Sequence, residues 1–378
     1  MPYFYKAEFS DLNAPAVVGR IVSQASKDPN VSEIVLNPKS LDDCLNCSAI
    51  LQTEVKDIPA DKLVVYCPEL SWGFGDVVRL DPHSKRVYLL YSRDSNANAL
   101  FVTELCNCNC IMCPQPPKEK EYSRVDEVLQ TIACLPEEIE ELGITGGEPT
   151  ILRDDFIRIL GAIKNRNPLC KVHVLSNARL LSDIKYALAI KNVGLQNLTF
   201  GVPIYSSDAT LHDYIVQSKG AFDQTLNGIY NLAECGIPVE IRTVIHKQTY
   251  SGLKELSEFV YSTLPFAFHI AFMGMEHMGY VKKNWDLLWI HPKQYQAELF
   301  EAASYLHMRG MNVSVYNLPL CFLDKRLWVL SRKSISDYKD VFLESCCECS
   351  QLENCGGIFK SQENTYQVEP FTGFEFKK

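Results

Sequence analysis

The stretch ALFVTELCNCNCIMCPQPPK, residues 99–118, decides how the chain is read. It opens as a buried strand, ALFVTE (99–104), and breaks at once into cysteines. Cys106, Cys110 and Cys113 stand in the pattern C-x3-C-x2-C directly after that strand. Between Ser123 and Leu135, apolar residues at 125, 128, 129 and 132 keep the i, i+3, i+4, i+7 spacing of an amphipathic helix. The next strand, EELGIT (140–145), ends in Gly146-Gly147-Glu148-Pro149.

Working outward, the alternation persists. Helical patterns at 154–165, 181–191, 222–235, 253–264 and 292–309 alternate with strands at 171–177, 195–205, 238–245 and 266–275. Six strand–helix units imply a parallel sheet with crossover helices. The predicted fold is α/β, a partial (βα)6 barrel over residues 96–310 with its working residues at the C-terminal ends of the strands. Upstream, SEIVLN (32–37), KLVVYCPE (62–69), DVVRLD (76–81) and RVYLLYS (86–92) predict a small, mostly β N-terminal domain over 1–95. Downstream, 311–378 lose the rhythm and form a cysteine-rich C-terminal extension.

Composition bounds the function. The 378 residues are 47% hydrophobic and 22% charged, as in folded proteins. A net charge of −9 argues against nucleic-acid binding, which needs a basic footprint. The longest mostly apolar stretch, Leu264 to Met275, carries Pro265 and His269 and is too short to span a bilayer. The start, MPYFYKAEFSDLN, has no basic head followed by an apolar core, so a reducing, cytoplasmic setting is expected and no membrane partner. Fifteen cysteines in that setting point to metal or catalysis rather than disulfides. Cys134, Cys170 and Cys235 sit in apolar or helical surroundings and read as plain thiols. Cys44 and Cys47, a lone C-x2-C with Cys67 beyond it, read as reduced bystanders rather than a third metal site.

Three thiolates can hold three irons of a 4Fe–4S cube and leave the fourth iron open, whereas full four-Cys ligation suits an electron carrier. The glycine pair after the second strand lets backbone approach a ligand. A carboxylate beside exposed carbonyls suits an ammonium group, so an amino acid chelating the open iron would be held there. C-x3-C-x2-C after strand one followed by GGEP after strand two resembles the radical S-adenosylmethionine (SAM) enzymes over about residues 97–310. The resemblance implies Cys106, Cys110 and Cys113 as cluster ligands and Gly146, Gly147 and Glu148 at the SAM amine. It implies Ser176 and Asn177 at the SAM ribose or carboxylate. Arg242, in EIRTV, would pair with the SAM carboxylate, with a structural ion pair as the alternative. Met112 stands where the family usually has an aromatic residue and receives no role; Cys108 reads as a non-ligand. The implied chemistry is reductive cleavage of SAM, with the radical formed abstracting a substrate hydrogen.

The second cysteine group is C-x2-C-x5-C, Cys346, Cys349 and Cys355, followed by Gly356-Gly357, with Cys321 as fourth ligand. Four thiolates bind zinc or a 4Fe–4S cluster. Beside a radical SAM core the group resembles the auxiliary clusters of SPASM and twitch types. More widely, ALFVTELCNCNCIMCPQPPK, GVPIYSSDATLHDYIV (201–216), YNLPLC (316–321), SRKSISDYK (331–339) and GDVVRLDP (75–82) resemble the HxsC-type maturases of the His-Xaa-Ser system. That implies a ribosomally made peptide as substrate, a second radical SAM protein as companion and a low-potential electron donor. A radical SAM enzyme for a small molecule is the alternative; the open three-Cys motif argues against a non-enzymatic metal carrier.

Overall fold

Residues 4–9 join the two edges of the first sheet. The computed structural model describes residues 4–26, 31–40, 42–54, 62–118, 123–334 and 341–363. Its N-terminal strands are β1 (Phe4–Lys6), β2 (Glu8–Phe9), β3 (Val17–Val22), β4 (Glu33–Leu36), β5 (Ala49–Gln52), β6 (Leu63–Tyr66), β7 (Val77–Asp81) and β8 (Arg86–Tyr91). They lie in the order β1-β8-β7-β3-β4-β5-β6-β2. β1 and β2 are one residue apart, yet β1 pairs with β8 and β2 with β6, both antiparallel. The sheet therefore closes into a barrel around Ile21, Ile34, Leu51, Val65, Leu80 and Val87, and among the described residues neither end of it is a free edge. The sequence reading found β4, β6, β7 and β8 and missed the other four. Of those, β1, β2 and β5 are four residues or fewer, and β3 is interrupted by Gly19-Arg20.

The second sheet is parallel and runs in chain order: β9 (Ala99–Phe101), β10 (Glu141–Thr145), β11 (Lys171–Leu175), β12 (Asn197–Pro203), β13 (Val239–Ile245), β14 (His269–Gly274), β15 (Val313–Tyr316) and β16 (Ser331–Arg332). Its crossovers are α1 (Val125–Cys134), α2 (Asp154–Arg166), α3 (Ile184–Val193), α4 (Ala209–Val216) with α5 (Ala221–Glu234), α6 (Leu253–Thr263), and α7 (Trp285–Leu288) with α8 (Gln296–His307). The six predicted units are present. Two boundaries need correction. β15 and β16 continue the sheet past residue 310, so the C-terminal extension begins as part of the barrel wall. α8 starts at Gln296, because His291-Pro292 first caps a short turn of its own. α4 was not foreseen; Asp208 caps it by accepting from Leu211 N at 2.8 Å.

Burial alternates along the strands. Leu142, Ile144, Val172, Val174, Leu198 and Phe200 are buried in the main core with Phe156 and Ile159 of α2. The residues between them, Gly143, His173 and Thr199, share one register line on the opposite, partly exposed face. That face is the barrel lumen. Val18, Val77 and Tyr91 join the main core, and the Cys134 thiol donates to Ser32 O, so the N-terminal barrel packs against α1. Among the described residues no helix is long and apolar enough to cross a membrane.

Candidate active site

The cysteine loop leaves β9 and is pinned from three sides. Gly147 N donates to Thr103 O (2.7 Å) and Glu148 N to Leu105 O (2.8 Å). A Cβ on Gly146 would lie 2.6 Å from Thr103 O, and one on Gly147 would collide with Leu105 O. The glycine pair therefore serves the close passage of the two strand-end loops. Farther along, Asn109 N and Ile111 N donate to Val216 O and Ile215 O of α4. This ties the segment 201–216 to the cysteines. Cys113 N donates to Cys110 O (3.0 Å), closing the C-x2-C turn.

The third side is β11. Asn177 Nδ2 donates to Asn107 Oδ1 (2.6 Å), and Arg179 Nη1 donates to Asn107 O (2.5 Å). Ala178 stands between them at φ 58°, a strained conformation for a residue with a Cβ. It is held by Gly228 of α5, where any Cβ would strike Ala178 O. Asn107, Arg179 and Gly228 escaped the sequence reading.

Glu148 is 1% exposed. Its Oε1 accepts from Thr150 N (3.0 Å), Thr150 Oγ1 (2.5 Å) and Ser176 Oγ (2.7 Å), and its Oε2 from Asn177 N (2.7 Å). Burial pushes the carboxyl pKa up, against the pull of these donors. In this structure the carboxylate joins the ends of β10 and β11. Ser176 and Asn177, expected at SAM, are brought beside it. Arg242 lies on the lumen face but is paired: Nη1 bonds Glu240 Oε1 (2.5 Å) and Nη2 approaches Met273 Sδ (3.1 Å). Glu240 Oε2 in turn bonds His269 Nδ1 (2.9 Å), whose Nε2 meets Ser314 Oγ (3.0 Å). The alternative of a structural ion pair describes Arg242 as it stands here.

Cys106, Cys110 and Cys113 lie together in the loop, and Cys108 is among them. Cys108 N donates to Cys106 Sγ (3.4 Å), and Cys108 Sγ accepts from Arg179 Nη1 (3.3 Å) and Asn177 Nδ2 (3.6 Å). The Cys106 and Cys110 thiols, with Arg179, hold the Cys108 thiol far below its usual range. Met112 is buried in an apolar cluster with Cys108, Ile111 and Tyr205. Among the described residues no three such side chains converge on a single ion. A cube spreads its thiolates over separate irons, so three thiols in one loop beside glycine backbone suit it in donor chemistry.

Cys321, Cys346, Cys349 and Cys355 all line one small cavity of about 20 Å³, walled by Leu320 and Trp328. Cys355 Sγ accepts from Leu320 N and Gly357 N, both at 3.4 Å, the kind of donor that steadies a thiolate. Burial, with the Cys355 and Cys346 thiols nearby, pushes the Cys321 thiol up to about 12. Cys347 is exposed and does not line the cavity. The structure separates the N-terminal thiols: Cys44 and Cys47 share a small apolar cluster, while Cys67 lies in the barrel core and donates to Lys6 O. Cys134, Cys170 and Cys235 are buried thiols. Of the segment 331–339, residues 335–339 lie outside the described residues.

A loop of thiols at the mouth of a parallel barrel, backed by a glycine-lined second loop, is the frame of one enzyme class. Residues 100–260 match the family model of the Radical SAM superfamily. That superfamily implies a 4Fe–4S cluster and S-adenosylmethionine. Among curated relatives, the chain is 29% identical over 196 residues to GTP 3',8-cyclase of Petrotoga mobilis, covering 50% of this chain and 58% of the relative. It is 34% identical over 161 residues to a probable GTP 3',8-cyclase of Methanocella arvoryzae, covering 42% and 50%. The chain thus spans about half the length of these curated relatives. Among solved structures, Streptococcus suis SuiB bound to S-adenosylmethionine is similar at TM-score 0.47 and 16% identity, over 60% of this chain and 51% of its own.

Proposed function

We propose that the chain is a radical SAM enzyme that modifies a ribosomally made peptide. In this reading Cys106, Cys110 and Cys113 hold the first 4Fe–4S cluster, and the loop around Gly146, Gly147, Glu148, Ser176 and Asn177 receives SAM. When bound, cluster and SAM together supply a 5′-deoxyadenosyl radical. The chain's own residues do the positioning. Glu148 locks two strand ends to each other, and Asn107 and Arg179 lock the cysteine loop to β11. The lumen face of the strands offers the adjoining space for a substrate.

The gathering of Cys321, Cys346, Cys349 and Cys355 around one cavity carries the peptide reading. It supports a second, fully ligated cluster of the type that the HxsC-like resemblance implies. Zinc held by the same four thiolates is the alternative occupant. A second reading, chemistry on a small molecule, is favoured by the names of the curated relatives. Fifteen cysteines, most of them in metal-ligand spacing or buried, suit a reducing, cytoplasmic setting. A low-potential donor would supply electrons, and a second radical SAM protein would be the companion.

Co-expression with a His/Ser-repeat peptide encoded beside it, read by mass spectrometry, tests the proposal. A mass change is expected with the wild-type chain and none with Cys106, Cys110 and Cys113 all changed to Ala. An unmodified peptide, together with SAM cleavage stimulated by GTP, would transfer the case to the small-molecule reading.

A further inference from the structure

The segment between β14 and α8, residues 275–294, contributes no strand to the sheet, yet it reaches both cysteine groups. On one side Tyr280 N donates to Cys113 O (2.9 Å) and Asn284 Nδ2 donates to Ile111 O (2.7 Å). Two carbonyls of the 110–113 turn are therefore bonded from outside the barrel. Gly279 makes the approach possible. Its φ is +54°, and a Cβ there would strike Cys113 O and lie 2.5 Å from Pro114 C.

On the other side a file of rings runs away from the loop. His277, Trp285, Trp289, His291 and Phe322 follow one another with centroids 4.2, 4.4, 6.4 and 4.7 Å apart. Trp285 and Trp289 are stacked, with 13° between their planes. Trp289 packs on two apolar clusters at once. One holds Cys108, Ile111 and Met112; the other is Phe322 with Ile358, against which Cys321 also lies. The buried Gln362 Nε2 adds a bond from the extension to Met275 O (2.9 Å).

We propose that residues 275–294 are a positioning element that holds the Cys110–Cys113 turn through Asn284 and the close approach of Gly279. Trp289 ties that grip to the C-terminal cysteine extension. Asn284 and Trp289 supply no ligand. They fix two carbonyls of the turn that carries Cys110 and Cys113, so the geometry of the first group depends on the packing of the second. Only the spectroscopic part of the test rests on the cluster reading above; the mechanical part concerns the metal-free chain.

Hydrogen exchange on full-length, metal-free protein reads the grip directly, in Asn284→Ala, Trp289→Ala and Trp289→Phe. Amides within 106–113 should exchange about fivefold faster in Asn284→Ala, the effect of one lost hydrogen bond. They should also speed up in Trp289→Ala and return toward wild type in Trp289→Phe, which keeps a stacking ring. Amides of α2 should not change, which separates a local grip from general loosening. After anaerobic reconstitution, a chelator should strip iron from the first site faster in the same two alanine variants, and the SAM-dependent change in the reduced protein's EPR spectrum should alter. Should Trp289→Ala fail to fold, Asn284→Ala decides alone, since it deletes only a half-buried amide. Unchanged exchange in 106–113 in the folded alanine variants overturns the proposal. Faster exchange in a chain that takes up no iron would leave the grip standing and remove the cluster reading instead.

Discussion

Glu148 and Glu240 are both buried glutamates, and their neighbours put them to different uses. Glu148 meets only neutral donors and braces two strand ends. Burial raises the Glu240 carboxyl, but the His269 bond and the Arg242 charge outweigh it and hold the group down to about 2. A folded pKa below the unfolded value contributes stability that is complete above the unfolded value, about 4.3, and is lost as pH falls toward the folded one. Glu240→Gln should cost roughly 2–3 kcal/mol at pH 7 by leaving Arg242 without its counter-charge. It should also flatten the loss of stability between about pH 4.5 and about 2, as followed by urea unfolding of metal-free protein. Parallel losses in wild type and variant would remove this carboxylate from the acid limb. At this scale the sequence is legible where function is local. Cys106, Cys110, Cys113 and Gly146 to Glu148 could be read because their spacing lies within a few residues. Arg179 and Asn284 could not, because they reach acceptors 72 and 173 residues away and no local pattern marks them.

Among elements, the long periodic ones were legible and the short ones were not. α2 and α5 are legible to within a residue or so from their apolar stripes, and VSVY (313–316) reads as the strand that forms β15, whereas β16 leaves no readable pattern. A two-residue strand such as β16 has too few side chains to alternate; only its partner in the sheet defines it. The turn between β10 and α2 gives a sharp test of packing. Gly147→Ala should abolish cluster incorporation, because its Cβ collides with Leu105 O and displaces the cysteine loop, while far-ultraviolet circular dichroism stays near wild type. Gly161→Ala, inside α2 with nothing within 4 Å of its Cβ, is the control. It should incorporate iron normally and gain roughly 0.5–1 kcal/mol in stability. Equal iron contents in the two variants would show that the glycine pair is not what holds the loop.

For the whole molecule, the question is whether the two cysteine groups divide their labour. Reconstituted wild type should carry about eight irons, and Cys349→Ala about four. The variant should still turn SAM into 5′-deoxyadenosine while its peptide goes unmodified. Four irons and one zinc in wild type would make the second site a structural pin. Loss of a four-thiolate site can also unfold its segment, so retention of the first cluster has to be established before the variant is read.

The seam closed by residues 4–9 gives the N-terminal barrel its mode of failure. Because one six-residue run completes both the β8 side and the β6 side, neither side can open by itself. A slip of one residue along β8 would be carried to β6, turning Tyr5 and Phe9 to the opposite face in the same event. Partly unzipped forms, with one side paired and the other bare, are thereby disfavoured. Those are the forms that would offer a strand edge to a neighbouring chain. The barrel is built to be lost all at once or not at all.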